Sequence, residues 1–237
     1  MSNKIGGHYS QAFDAELQQA VDRLLQMAAL TQQQLTDAIA AFVEADYQRA
    51  ELVVASDFRV NDFEVDIDEH CLDILVRRQP AASDLRLVLT ILKSINDIER
   101  IGDLAKRVAK TLLQQPATQR PTQAQIDDID VMGHRVLQML QSAIASFERM
   151  DASEALKVLR TDIAIDQDYD RIVGQSISIM SADSSQVGPS MLLFVIARAL
   201  ERIGDHSRNI CQHVIFLCKG RNVAHFTDAE LQQIIEK

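Results

Sequence analysis

Apolar residues recur every three or four positions through most of the chain, a spacing that predicts amphipathic helices. The segment 83–114 shows the pattern most clearly, because its apolar residues fall on one face of a helix with 3.6 residues per turn. These residues are Val88, Ile91, Leu92, Ile95, Ile98, Ala105, Ala109 and Leu112. Helices of about 25–35 residues span roughly 40–50 Å, and long helices joined by short connections form bundles.

The pattern divides the chain into six helical stretches. We predict them at 10–45, 46–78, 83–114, 122–150, 151–181 and 189–219. Asp46, Asp151 and Ser83 carry side chains suited to helix N-caps, and Pro189 suits a first helical turn. The segment 181–189 is predicted to be a polar loop.

The two halves of the chain resemble one another, which indicates an internal duplication. The string Glu-Arg-Ile-Gly-Asp occurs at 99–103 and again 102 residues later, at 201–205. Upstream, the segment 38–42 resembles 143–147, which lies 105 residues later. At that second offset Asp57 matches Asp162 and Asn61 matches Asp166. Two matches in the same order argue against chance, and the different offsets imply a shorter connection before the last helix of the second copy.

We therefore predict an all-α protein made of two tandem, internally repeated three-helix bundles that pack through a pseudo-twofold relation. The first repeat is predicted at 1–115 and the second at 121–237, because the Pro-containing segment 115–121 is the only linker-like stretch. Composition agrees with this fold class. Only eight Gly and four Pro serve 237 residues, whereas sheet proteins use both at frequent turns.

Charge and composition exclude several classes of function. There are 24 Lys and Arg against 34 Asp and Glu, a formal net charge of −10. This balance disfavours nucleic acid or an anionic bilayer as a partner of the whole surface, although a local basic patch stays possible. The longest apolar run, 191–197, is too short to span a bilayer, and no signal-peptide apolar region follows the N-terminus. Three cysteines without a C-x-x-C pair fit a reducing compartment, so we expect a soluble cytoplasmic protein.

Paired acids carry the candidate chemistry. Two carboxylates four residues apart are neighbours on a helix surface and repel one another unless a positive group lies between them. Such pairs lie in the third stretch of each copy, and the second stretch of each copy adds two more oxygen-bearing side chains. The eight candidate metal ligands are Glu99, Asp103, Asp57 and Asn61 in the first copy, and Glu201, Asp205, Asp162 and Asp166 in the second. All-oxygen sets suit hard cations such as Mg²⁺, Mn²⁺, Ca²⁺ or iron.

A solvated helix surface with local ion pairs is the alternative interpretation of these acids. Arg100 and Arg202 directly follow the two glutamates and could neutralise them within the helix. Gly102 and Gly204 lie between the acids, where glycine costs roughly 1 kcal/mol relative to alanine. Close approach of a neighbouring helix is the favoured reason for these glycines, and room for a ligand is the alternative.

Sequence motifs of catalysis are absent. The chain contains no P-loop, no G-x-G-x-x-G, no H-E-x-x-H and no Glu-x-x-His pair of the kind found in di-iron bundles. His70 and Cys71 are adjacent, so their side chains diverge on a helix. His206 and His213 project away from the acidic pair of their helix and are expected to be surface or boundary residues. We predict no catalytic residues and no enzymatic activity.

The chain resembles the PhoU family of accessory regulators of phosphate-specific transport. The resemblance rests on the duplicated Glu-Arg-Ile-Gly-Asp strings, on Arg78-Gln79-Pro80-Ala81-Ala82-Ser83-Asp84-Leu85-Arg86, and on Val60-Asn61 followed by Ile67-Asp68-Glu69. It covers about 10–235 and implies two three-helix bundles. It also implies a non-enzymatic cytoplasmic regulator that couples the ATPase subunit of the phosphate ABC transporter to the sensor histidine kinase of the phosphate regulon. Such a regulator represses the regulon and restrains phosphate uptake when phosphate is abundant.

The resemblance also implies roles for the acidic residues. The family's Glu/Asp-x-x-x-Asp motif, associated with metal clusters in some members, maps onto the four third-stretch acids, and its counterpart maps onto the four second-stretch residues. Asn61 stands where a carboxylate would bind a cation more strongly, which makes the first copy the weaker one. Mg, Mn or Fe are the expected cations, with none needed for catalysis. A homodimer is expected, with membrane contact only through partners.

Two alternatives come from other classes of protein. One is a carboxylate-rich metal-binding protein, such as a metal store, or a metalloenzyme. The other is a purely structural helical spacer, in which the acids could be replaced without effect.

Overall fold

The computed structural model describes residues 11–115, 120–224 and 226–236, and within them the chain forms α-helices without a strand. The helices are α1 (Gln11–Glu44), α2 (Tyr47–Ser56), α3 (Phe58–Arg78), α4 (Ala82–Leu113), α5 (Gln123–Arg149), α6 (Ala152–Leu159), α7 (Asp162–Ala182), α8 (Val187–Lys219) and α9 (Asp228–Glu236), with a 3₁₀ turn at Ser184–Gln186. The predicted all-α class is confirmed. In the part of the chain described here, no helix combines the length and apolar character needed to cross a bilayer. The predicted helix start at residue 10 and the linker residues 116–119 lie outside the described residues.

Each second stretch is two helices, so the prediction of one continuous helix in each copy is wrong. The chain breaks at Asp57, between α2 and α3, and between α6 and α7. A hydroxyl lies at each break: Ser56 donates to the carbonyl of Val53, and Thr161 donates to that of Val158. These local bonds compete with the helical backbone pattern. Because Ser56 and Thr161 are equivalent in the two copies, the break belongs to the repeated unit.

The other predicted boundaries hold only in part. Asp46 and Asp151 do cap α2 and α6, since their carboxylates accept hydrogen bonds from backbone N–H groups of the first turn. Ser83, in contrast, lies inside α4, which begins one residue earlier. The predicted polar loop at 181–189 is largely helical, because α7 continues to Ala182 and α8 already begins at Val187. Helix α9 was not predicted, and it packs on α6.

The helices form two bundles that correspond to the two sequence copies. Helices α1 to α4 pack together in the first bundle, and α5 to α8 pack together in the second. Helices α4 and α8 form the main contact between the bundles and run antiparallel. Arg86 near the start of α4 donates to the carbonyl of Leu217 (3.2 Å), and Gln115 just past its end donates to that of Gly188 (3.5 Å). One hydrophobic core is therefore continuous across both bundles.

A second contact between the bundles, between α1 and α5, depends on a glycine. A Cβ on Gly133 would lie only 2.9 Å from the side chain of Ile39. The missing side chain lets the two helices approach closely.

A polar cluster lies in the middle of the α4–α8 contact. The buried carboxylate of Asp97 on α4 lies 2.8 Å from His206 Nδ1 and 2.9 Å from His213 Nε2, and it accepts a hydrogen bond from Asn209 at 3.0 Å. Burial alone would raise the pKa of Asp97, but these three hydrogen bonds outweigh it and lower that pKa to about 2. The two histidines are therefore half-buried contacts between the bundles, a role that the sequence analysis missed.

Candidate functional site

The predicted ligands lie where the second and third helices of each copy meet. We call Asp57, Asn61, Glu99 and Asp103 the copy-one face, and Asp162, Asp166, Glu201 and Asp205 the copy-two face. In copy one, Asp57 is at the junction before α3 and the two acids are on α4; in copy two, two acids are on α7 and two on α8. Asn61 is exposed, and no hydrogen bond within the described residues connects it to the rest of its face.

Glycines set the distance between these helices. A Cβ on Gly204 would lie 3.3 Å from Ile165 and 3.5 Å from Asp162 Oδ1, and one on Gly102 would lie 3.4 Å from Val60. Val60 and Ile165 are equivalent positions of the two copies. The structure therefore supports close helix approach as the reason for both glycines, and that approach brings α3 and α7 against the acids of α4 and α8.

In copy one a lysine supplies positive charge between the helices. Asp57 is only 3% exposed, and the ammonium of Lys106 on α4 donates to its carboxylate at 2.5 Å. The same ammonium lies 3.9 Å from Asp103. The hydrogen bond to Asp57 raises the pKa of Lys106, so the lysine stays charged at neutral pH. The ammonium of Lys106 thus supplies positive charge within the copy-one face.

Repulsion nevertheless persists at Glu99 on the same face. Burial raises the pKa of Glu99, and the neighbouring Asp103 and Glu64 raise it further. Arg100 opposes this effect but lies 3.6 Å from Glu99 and 3.8 Å from Asp103, beyond good hydrogen-bond distance.

The negative charge of the copy-two face is less well compensated by neighbouring basic residues. Arg208 is equivalent to Lys106, but its Nε lies 3.7 Å from Asp162. Burial, together with Asp166 and Asp205, raises the pKa of Asp162 to about 6 despite this arginine. Burial and Asp205 likewise raise the pKa of Asp166.

Glu201 shows the same shortage of positive charge. One of its oxygens accepts from Arg198 at 2.7 Å, whereas Oε2 is buried without a hydrogen-bond partner. Burial and the neighbouring Asp205 raise its pKa. Arg202, which the sequence suggested as the neutralising residue, makes no ion pair with Glu201 within the described residues. The copy-two face therefore has four carboxylates and one buried oxygen that still lacks a donor.

The side chains, as placed, do not enclose a cation. Among the described residues, no three His, Cys, Asp or Glu side chains converge closely enough to hold a metal ion. The donor chemistry still distinguishes the faces. Copy two offers oxygen ligands with excess negative charge, which suits a hard cation. In copy one, Lys106 takes a position that a bound cation would need free, and the neutral Asn61 takes a position where it would need a charged ligand.

The sequence analysis missed the two basic residues that lie beside the buried acids of the two faces. Lys106 and Arg208 each follow the last acid of the repeated string by three residues. Extending the comparison of the two copies by one helical turn would have revealed them.

The comparisons with known proteins agree with this duplicated arrangement. The family model described as "PhoU domain" matches the chain twice, at residues 24–112 and 129–214. The chain belongs to the PhoU family. It is 39% identical over 228 residues to the phosphate-specific transport system accessory protein PhoU of Edwardsiella tarda, covering 96% of this chain and 93% of the relative. It is 37% identical to the protein of that name from Escherichia coli K12 over 234 residues, covering 99% and 96%.

Solved structures of the PhoU family have the same fold. The crystal structure of PhoU from Pseudomonas aeruginosa matches with a TM-score of 0.85 at 39% identity, covering 88% of this chain and all of that one. The phosphate transport system regulatory protein PhoU from Streptococcus pneumoniae matches with a TM-score of 0.83 at 29% identity, covering 89% and 99%. The predicted tandem repeat is confirmed, and this PhoU-family chain is a regulatory accessory protein rather than an enzyme.

The raised pKa of Asp162 generates a prediction about stability and pH. Because its folded pKa is about 6 and its ordinary value is 3.8, the folded state holds a proton that the unfolded state releases between these values. Its contribution to stability is therefore present at low pH and is lost as pH rises from about 4 to 6. Asp162→Asn should raise the free energy of unfolding at pH 7 by about 1–3 kcal/mol and leave it nearly unchanged at pH 4.

Denaturant unfolding in chelator-containing buffer across this pH range measures the effect. Asp170→Asn, which changes an exposed acid of the same helix, is the matched control, and its free energy of unfolding should depend on pH as that of the wild type does. If the free energy of unfolding of Asp162→Asn also changed with pH in parallel with the wild type, the pKa of Asp162 would not be raised in the folded state.

Proposed function

We propose that this protein is a cytoplasmic adaptor that couples the ATPase subunit of a phosphate ABC transporter to the sensor histidine kinase of the phosphate regulon. In this role it represses the regulon and restrains phosphate uptake when phosphate is abundant. The observation that carries the proposal is the similarity to phosphate-specific transport accessory proteins over nearly the whole length of both chains. Both copies of the acidic string fall within the matched regions.

The fold supports an adaptor physically. Helix α4 alone has 32 residues, or about 48 Å, and its antiparallel contact with α8 joins the bundles through a continuous core. Such a body can present separate surfaces to two partners at once. Its excess of acidic groups favours partners with basic surfaces, since charge complementarity sets specificity and the rate of encounter. The homodimer implied by the family resemblance stays a prediction.

Deletion of the gene in its native host tests the regulatory role. In high-phosphate medium, the deletion strain should express an alkaline phosphatase reporter at the level of phosphate-starved wild-type cells, because the kinase is no longer restrained. The wild-type gene supplied on a plasmid should restore repression. Normal repression in a strain confirmed to lack any second copy of the gene would contradict the proposal.

We also propose that the copy-two face binds a hard divalent cation or iron, with Asp162, Asp166, Glu201 and Asp205 as its ligands. The support is the buried, unpartnered Oε2 of Glu201 and the raised pKa values of the neighbouring acids. Asp166 and Asp205 are exposed and can reorient toward a cation. A bound cation would neutralise the face and hold α7 against α8; no catalytic role follows from it.

Cation-dependent stability tests this second proposal. Addition of Mn²⁺ to chelator-stripped protein should raise the unfolding free energy by about 2.7 kcal/mol at a concentration one hundred times its Kd. Glu201→Gln combined with Asp205→Asn should abolish the rise. The matched control, Glu99→Gln combined with Asp103→Asn, should keep it. An equal loss in both double variants, or no rise in the wild type, would refute a cation site specific to copy two.

A further inference from the structure

Helix α3 exposes a row of apolar side chains along one face. Phe58, Val65 and Leu72 recur at seven-residue intervals and are 61%, 57% and 50% exposed, and Val76 lies one turn further and is 75% exposed. Residues seven apart lie within about 20° of each other around a helix axis, so the four form one straight stripe roughly 27 Å long. We call it the α3 stripe. Single exposed apolar residues are ordinary, whereas a heptad row is the pattern by which helices pair.

Carboxylates border the α3 stripe on both sides. By helical position, Asp62, Asp66, Glu69 and Asp73 follow one edge, and Asp68 lies on the other. Arg23 binds Asp66, and Arg77 lies 3.1 Å from Asp73. Asp62, Asp68 and Glu69 form no ion pair within the described residues. The border of the stripe therefore keeps uncompensated negative charge.

Copy two lacks this surface, although its helix α7 is equivalent. Phe58 and Leu72 correspond to Ile163 and Ile177, but Asp170 stands in place of Val65 and Ser181 in place of Val76. A continuous stripe is therefore not a requirement of the repeated fold. It is a property of α3, which points to a role outside the packing of the bundle.

We propose that the α3 stripe is a docking surface for a basic amphipathic helix of a protein partner. The heptad spacing fits the apolar face of one helix, and the acidic borders fit lysine and arginine on its flanks. A second copy of this chain fits poorly, because two α3 stripes brought together would place like-charged borders against each other. An anionic bilayer is repelled by the same carboxylates. The proposal depends on this surface alone and not on the phosphate-regulation proposal.

A designed peptide pair tests both features of the surface. The first peptide is a helix of about 21 residues with leucine in a heptad pattern and lysine beside it; the second has glutamate in place of each lysine. Titrated with the full-length protein, the lysine peptide should bind and the glutamate peptide should not, as measured by fluorescence anisotropy. Salt should weaken the lysine peptide's binding.

Matched variants locate the binding. Leu72→Gln combined with Val65→Gln should weaken the lysine peptide by about tenfold or more, since anchors at the centre of an interface carry most of its affinity. Ile177→Gln, which removes the equivalent residue of α7 at 52% exposure, should bind like the wild type. Asp62→Lys combined with Glu69→Lys should weaken the lysine peptide and allow the glutamate peptide to bind. All of these positions are exposed, and circular dichroism and the Tm verify that each variant is folded.

Four results would overturn the proposal. The first is equal binding of the lysine peptide by the wild type and by the variant that combines Leu72→Gln with Val65→Gln, and the second is equal binding of both peptides by the wild type. The third is self-association of the wild type that this variant abolishes. The fourth is binding of the wild type to phosphatidylglycerol vesicles in preference to the lysine peptide. The third result would assign the stripe to a second copy of the chain, and the fourth would assign it to a lipid surface.

Discussion

Carboxylates held between two packed helices need positive charge beside them, and the arrangement of each bundle depends on how this charge is supplied. Close approach at Gly102 and Gly204 brings the second and third helices together, and Asp57 and Asp162 are buried between them. In copy one, Lys106 reaches the buried Asp57. In copy two, Arg208 remains further from Asp162, and a carboxylate replaces Asn61. The two copies of one unit thus differ at the most buried acid of each face, because Lys106 neutralises Asp57 more closely than Arg208 neutralises Asp162.

The contact between the bundles shows a similar divergence. Helices α4 and α8 are equivalent and pack antiparallel, so the same contacts could in principle form at both ends of the pair. Asp97 with its two histidines exists on one side only, because its equivalent in copy two is Ala199. A shift that moved these donors away would leave the carboxylate of Asp97 buried without partners, and a buried polar group without a partner costs about 1–3 kcal/mol. This cluster therefore favours one register of the two bundles. With the α3 stripe, it makes the two copies of the repeated unit structurally different from one another.

The sequence predicts the fold well because its signals are local and repeated. Apolar periodicity defines the long helices, and Asp46 and Asp151 cap helices as their side chains suggest. The breaks before α3 and α7 escaped prediction because apolar periodicity continues across them, while single hydroxyl groups compete with the backbone there. The eight candidate ligands were named from their spacing and from comparison of the two copies, and their role as ligands stays a prediction. The position of Lys106 repeats at Arg208 and could be read from the sequence, but its pairing with Asp57, 49 residues away, arises only through the packing of the helices. Asp97 has no equivalent in the repeat, so comparison of the copies could not reveal it.

Lys106 supplies positive charge to the buried Asp57 of copy one, whereas Arg208 lies further from the equivalent Asp162 of copy two. Lys106→Met tests this role most directly, since methionine keeps the apolar stem and removes only the ammonium. In chelator-treated protein at pH 7, this variant should unfold with a free energy about 2–4 kcal/mol lower than the wild type, because Asp57 is left buried and unpaired. Asp57→Asn in the same background should recover most of the loss, and Mn²⁺ should stabilise Lys106→Met more than the wild type. An unchanged free energy of unfolding, or a loss that neither Asp57→Asn nor Mn²⁺ reduces, would contradict the account.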